Sequence, residues 1–139
     1  MMKRVAKDRL SDAVTPLETL RAAYRKFSQE RNWGKYHDVK NVSASIVLEA
    51  AELVEIFQWD NSEESQKKLK DPETLLKVRH ELADILAYVI NFAEQAEIDL
   101  TEAFFEKLEH TKKKYPVSLV NKDLSDYHKI KADYRKQRK

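Results

Sequence analysis

Glu49, Glu52, Glu81 and Asp84 stand in surroundings unusual for surface acids. In NVSASIVLEAAELVEIFQW (41–59), twelve of the eighteen residues from Val42 to Trp59 are apolar, and the charged ones are Glu49, Glu52 and Glu55. At about 100° per residue, Ile46, Ala50, Leu53 and Phe57 form one helical stripe. Glu49 then falls between Leu53 and Ile56, and Glu52 between Ser45 and Trp59, at the border of a buried face. Desolvating an unpaired carboxylate is costly, and like charges three or four residues apart on a helix repel. No lysine or arginine occurs between Lys40 and Lys67, so an external cation is the natural neutraliser. ELADILAY (81–88) repeats the pattern, with Glu81 and Asp84 on the edge of an apolar stripe and Tyr88 one turn on. Packing the two helices face to face would converge four carboxylates. Oxygen ligands without histidine or cysteine favour Mg²⁺ or Mn²⁺ over zinc or copper. Spacing alone is unspecific, because Glu94/Glu97 and Glu106/Glu109 share it; the apolar flanks set 49/52 and 81/84 apart. Ordinary acids at a helix border remain the alternative. Glu55 points between Ala44 and Leu48, as a further ligand, a water-orienting base or an exposed acid. A di-iron bundle would need Glu-x-x-His pairs, and none follows Glu49, Glu52 or Glu81.

The elements that must position these acids are helices. Thr15-Pro16-Leu17-Glu18 reads as a capped start, and Leu17, Leu20, Tyr24 and Phe27 carry a helix to about Arg31, broken near Gly34. The loop to Lys40 holds Trp33, Tyr36 and His37. The acidic helix follows and fails near Asp60, and 60–70 is a polar connection or short helix. Asp71-Pro72-Glu73 opens a long helix to about Glu97, with Leu75, Val78, Leu82, Ile85, Leu86, Val89 and Phe92 on one face. Asp99 to Glu102 opens a last helix through Lys114, with Ala103, Phe104, Leu108 and Thr111 inward, ended by Tyr115-Pro116. The organisation expected is a charged leader (1–14), one all-α domain of four-helix-bundle type (15–116) and a basic C-terminal tail (117–139).

Composition agrees. The chain of 139 residues is 42% hydrophobic and 36% charged, with one glycine, three prolines and no cysteine. That leaves little turn material for an all-β fold and no thiolate chemistry. The start MMKRVAKDRL lacks the apolar run of a signal peptide, and no segment approaches a membrane span, so the expectation is a cytoplasmic protein. The net charge of +2 hides a polarity: residues 41–110 carry six cations and sixteen acids. The basic ends read as solvated termini, with nucleic-acid binding as the alternative.

The motifs Glu49-x-x-Glu52 and Glu81-x-x-Asp84 resemble the signature of the all-α nucleoside triphosphate pyrophosphohydrolases, the MazG-like group, and most closely its dCTP pyrophosphatase branch. ERNWGKYH (30–37), Asn41, EAAELVEIFQW (49–59), ELADILAY (81–88), Asp99-Leu100, Lys107 and KKKYP (112–116) extend the likeness over about 20–116. The resemblance implies a helical bundle whose protomers share helices as a homodimer or homotetramer. It also implies Mg²⁺-dependent hydrolysis of the α–β phosphoanhydride of a nucleoside triphosphate to monophosphate and pyrophosphate. It makes Glu49, Glu52, Glu81 and Asp84 the metal ligands, Trp33, Trp59 and Tyr88 walls of the base pocket, and Lys107 a phosphate contact; Tyr115 ends the matching Tyr-Pro turn as a further substrate contact. Glu52 or Glu55 would act as general base. Tyr24 stands where that branch has a base-contacting histidine, Thr111 replaces an asparagine, and Lys112–Lys114 replace arginines. The substrate implied is dCTP or a related pyrimidine deoxynucleotide, in nucleotide-pool cleansing. Alternatives are a relaxed, modified-nucleotide or dUTP-directed hydrolase, and a non-enzymatic helical interaction protein with basic tails. Read without the resemblance, the tryptophans are boundary packing, Lys107 is surface, and His37 is a loop residue with no metal role.

Overall fold

The computed structural model describes residues 10–117 and 124–136. Its helices are α1 (Leu17–Glu30), α2 (Val39–Glu55), α3 (Ser62–Lys68), α4 (Pro72–Gln95), α5 (Leu100–Lys114) and α6 (Leu124–Lys136), with a 3₁₀ turn at Trp33–Lys35. The fold is all-α; no strand occurs among the described residues. The helices fall into two units, divided between Ile98 and Asp99.

In the first unit α4 packs against α2 and, less extensively, α1. Side-chain caps fix where the two long helices begin. The Asp38 carboxylate accepts from the Asn41 amide (2.8 Å) ahead of α2, and Asp71 accepts from the Thr74 amide and hydroxyl (both 2.8 Å) ahead of α4. Asn61 and Glu64 close a reciprocal capping box on α3. The start of α1 differs from the expected capped form. Pro16 occupies the capping position without a side-chain bond, and the Thr15 hydroxyl turns back to accept from Ser11 N (3.1 Å). Glu18 pairs with Arg21 (3.7 Å) and Arg25 (3.6 Å) instead of closing a box. After α1 the left-handed residue is Asn32 (φ 52°), not Gly34, since asparagine tolerates that conformation. Helix α4 stops at Gln95, because Glu97 (φ 54°) lets Ile98 N donate back to Ala93 O (2.9 Å), a Schellman closure.

The buried centre is small: Val42, Val78, Ile90 and Ala93, with Val42 1% exposed. Leu75, Leu82 and Leu86 were expected inward on α4, but all three are exposed, as are Val47, Leu48 and Val54 on α2. The apolar stripe of α4 is wider than the faces that α1 and α2 offer within one chain. Arg25 ties α1 to α4 through a forked pair with Glu94 (2.6 and 3.0 Å), and Arg21 donates to Ile98 O (3.2 Å).

The second unit pairs α5 with α6. Asp99 caps α5 by accepting from Glu102 N (2.9 Å). Tyr115 stacks on Tyr127 (5.3 Å between centroids), and the Lys114 ammonium lies 3.9 Å from the Tyr134 ring centre. Phe104, expected inward, is exposed, whereas Leu108 and Thr111 are half-buried. The segment read as a tail contains α6, where Tyr127, Ile130 and Tyr134 recur at helical spacing. Residues 1–9 of the expected leader, and 118–123 and 137–139 of the expected tail, lie outside the described residues. Among the described residues no helix is long and apolar enough to cross a membrane.

Candidate functional site

Helices α2 and α4 bring Glu49, Glu52 and Glu81 together. One carboxylate oxygen of each lies within 4.8 Å of the other two. Glu49 and Glu81 are half-buried and Glu52 is exposed. Asp84, one turn beyond Glu81, is exposed and lies outside this trio, yet its charge acts on Glu49. The Glu49 carboxyl is pushed above the usual carboxylate range, first by burial and then by the charges of Glu52, Asp84 and Glu81. Among the described residues, no ion pair reaches Glu49, Glu52, Glu81 or Asp84. The nearest lysines are committed elsewhere: Lys68 to Asp60 (2.7 Å) and Lys77 to Glu73 (2.8 Å). Beside the trio an open cleft of about 420 Å³ is lined by Glu52, Glu55, Ile56, Lys68, Thr74, Lys77 and Glu81. Three oxygen donors this close, none neutralised by a cationic side chain, suit a hard divalent cation.

The aromatic candidates separate into groups. Tyr24, Phe27, Trp33, His37 and Tyr88 form a chain of ring contacts, with centroids 6.1, 5.2, 5.6 and 6.3 Å apart in that order. It joins α1, the 3₁₀ turn and α4, and Tyr24 lies near enough to Asp84 and Tyr88 to feel their charge. Trp59 stands outside this chain, 89% exposed beyond the end of α2. Lys107 and Tyr115 belong to the second unit. Lys107 is exposed and its carbonyl accepts from the Thr111 hydroxyl (2.9 Å); one face of Tyr115 is taken by Tyr127.

The sequence places Asn91 near the Glu81 and Asp84 edge of α4 but gives it no partner. Asn91, 8% exposed, donates from Nδ2 to His37 Nδ1 (3.0 Å) and towards the Tyr24 hydroxyl (3.5 Å), and its Oδ1 accepts from Gln95 Nε2 (3.0 Å). The legible signal was an asparagine between Ile90 and Phe92 in the most apolar part of α4, where a polar side chain needs partners.

The sequence pattern of the MazG-like family matches residues 44–130, a span that includes all four acids. The chain belongs to the MazG-like family. This MazG-like chain is 34% identical over 103 residues to dCTP pyrophosphatase 1 of Bos taurus, covering 74% of this chain and 61% of that protein. To dCTP pyrophosphatase 1 of Homo sapiens it is 30% identical over 111 residues, covering 80% and 65%. It thus spans 61% and 65% of the length of these two relatives. A crystal structure of a pyrophosphatase from Archaeoglobus fulgidus superposes with a TM-score of 0.69 at 38% identity, covering 78% of this chain and 99% of that one.

Proposed function

We propose that this MazG-like protein is a nucleoside triphosphate pyrophosphohydrolase, cleaving a pyrimidine deoxynucleoside triphosphate, dCTP foremost, to monophosphate and pyrophosphate. The observation that carries the proposal is the convergence of Glu49, Glu52 and Glu81, uncompensated, at the edge of a cleft. Similarity to the two dCTP pyrophosphatases supports the substrate class.

A triphosphate cannot approach four carboxylates unaided, so Glu49, Glu52, Glu81 and Asp84 are assigned to holding Mg²⁺, with Mn²⁺ as a substitute. Bound there, Mg²⁺ would neutralise the acids, polarise phosphoryl oxygens and lower the pKa of a bound water. Glu52 and Glu55 line the cleft one turn apart, and either can take the proton from a water attacking the α-phosphorus in line. Trp33, Tyr88 and Tyr24 offer ring faces and a hydroxyl to the base. Trp59, Lys107 and Tyr115 are assigned to the substrate through the resemblance.

A homodimer or homotetramer is part of the same reading. Val47 and Val54 are 67% and 62% exposed on α2, and Leu82 is 53% exposed on α4. Leu53, Val54, Phe57, Val78 and Leu82 line an almost wholly apolar groove of about 440 Å³. Burying each such side chain contributes about 1.5–3 kcal/mol, and apolar faces of this kind mark contact surfaces.

The test is a panel of nucleoside triphosphates with Mg²⁺, with both products analysed. Monophosphate and pyrophosphate, formed fastest from dCTP, are expected. Orthophosphate release, or no turnover of any nucleotide, would refute the reading.

A further inference from the structure

Two lysines share the cleft with the acids and leave them unpaired. Lys77 stands four residues after Glu73 and four before Glu81 on α4, so both acids are helical neighbours of it. It pairs with Glu73 (2.8 Å), the order of acid before lysine that a helix favours. Lys68 donates to the Ile56 carbonyl (3.1 Å) and pairs with Asp60 (2.7 Å), which straps α3 to the end of α2. Both lysines line the cleft beside Glu52, Glu55 and Glu81, whereas Glu73 and Asp60 do not. The cleft is thus divided by charge, with carboxylates that lack a counter-ion and ammonium groups held off them by acids elsewhere. Lysines paired with the metal acids would cancel both charges. Kept apart, the two sets suit a ligand that is itself divided, cationic in one part and anionic in another. A polyphosphate carrying a divalent cation is such a ligand.

We infer that Lys68 and Lys77 form a clamp for the β- and γ-phosphates, the part of the substrate that leaves as pyrophosphate. The inference rests on the nucleotide reading above and deepens it by assigning the outer phosphates to the lysines and the α-phosphate to the acid side. Water then adds its oxygen to the α-phosphorus and gives up a proton to a carboxylate. The bond from that phosphorus to the α–β bridging oxygen breaks, and its electron pair leaves with the bridging oxygen on pyrophosphate. Ammonium groups already in place stabilise this charge as it develops. Lys77 changes partner at little cost, because both members of its pair with Glu73 are largely exposed and such pairs are weak. Lys68 need not move. An ammonium has three donors, and Ile56 and Asp60 engage two of them.

Calorimetric titration of the Mg²⁺-saturated protein with pyrophosphate, and separately with dCMP, tests the clamp without turnover. Lys77→Gln and Lys68→Gln should each weaken pyrophosphate binding by roughly tenfold or more, the loss expected of one charge-assisted hydrogen bond, and leave dCMP binding unchanged. Lys77→Arg keeps the charge and should retain pyrophosphate. If Lys68→Gln loses its fold with the strap on α3, the Lys77 pair of variants decides alone. No measurable pyrophosphate binding by the wild type, or unchanged binding in Lys77→Gln, would overturn the clamp. Equal weakening of pyrophosphate and dCMP would also overturn it, by showing that the lysines act through the fold or the metal. A wild type that hydrolyses no nucleotide yet binds pyrophosphate through Lys77 would refute the nucleotide reading and leave the clamp standing. Hydrolysis of dCTP with pyrophosphate binding unaltered in Lys77→Gln would do the reverse.

Discussion

Glu49→Gln separates the cost of the acid cluster from its use. Glu49 lies within 4.8 Å of both Glu52 and Glu81. At that distance two unit charges repel by about 0.9 kcal/mol in water and about 3.5 kcal/mol at an effective dielectric constant of 20. Glu52 is exposed and Glu81 only half-buried, so the lower figure is the better guide. Two pairs then give relief of about 2 kcal/mol in the metal-free protein, worth roughly 5–10 °C in Tm for a chain of this size. Glutamine keeps the shape and removes the charge. With Mg²⁺ the order reverses, because a ligand at 100 times its Kd adds about 2.7 kcal/mol to a competent site, and the variant has lost a donor. The assay is thermal unfolding of both proteins in EDTA and in saturating MgCl₂. The expected result is a higher Tm for Glu49→Gln in EDTA, a large Mg²⁺ gain for the wild type and a much smaller gain for the variant. A variant less stable than wild type in EDTA, with an undiminished Mg²⁺ gain, would refute the reasoning.

Other outcomes follow from the same geometry. The raised Glu49 carboxyl penalises the metal-free fold above its folded pKa; stability in EDTA should therefore rise as pH falls through that value towards 4.5, a rise absent in Glu49→Gln when denaturant melts are compared. Glu94 shifts the opposite way, held below the usual range by its hydrogen bond to Arg25. Its contribution is present above about pH 4.5 and lost as pH falls through the depressed value, so Arg25→Ala should flatten the acid limb of the stability curve. Asp84→Asn should leave circular dichroism unchanged and lower kcat/KM by about 10²–10⁴, each factor of ten being about 1.4 kcal/mol; near-normal turnover would remove Asp84 from the site. Leu82→Glu places a charge on the exposed apolar groove and should shift sedimentation towards a smaller species, whereas an unchanged mass would show that this face is not an interface.

How much was legible can be read from particular residues. Asp71-Pro72 and Asp99 announced two helix starts, because a capping side chain and the amide it satisfies lie within a few residues of each other. Glu49, Glu52 and Glu81 were legible because acids on an apolar flank violate the helical pattern. The start of α1 was misread: Thr15 had a second partner, Ser11 N, which spacing does not weigh. Leu75, Leu82, Leu86 and Phe104 were assigned inward because periodicity identifies an apolar face without saying which surface covers it. The role of Asn91 was not legible because its partners, Tyr24 and His37, are 67 and 54 residues away. The helix at 124–136 escaped because its apolar positions are tyrosines and an isoleucine among lysines, a weak stripe.

The most direct test of the central claim is hydrolysis of dCTP in ¹⁸O-labelled water with Mg²⁺, followed by ³¹P NMR of the products. Label in the monophosphate alone, unlabelled pyrophosphate and no turnover in EDTA are the expected result. Label in pyrophosphate, release of orthophosphate, or full activity without divalent cations would contradict it.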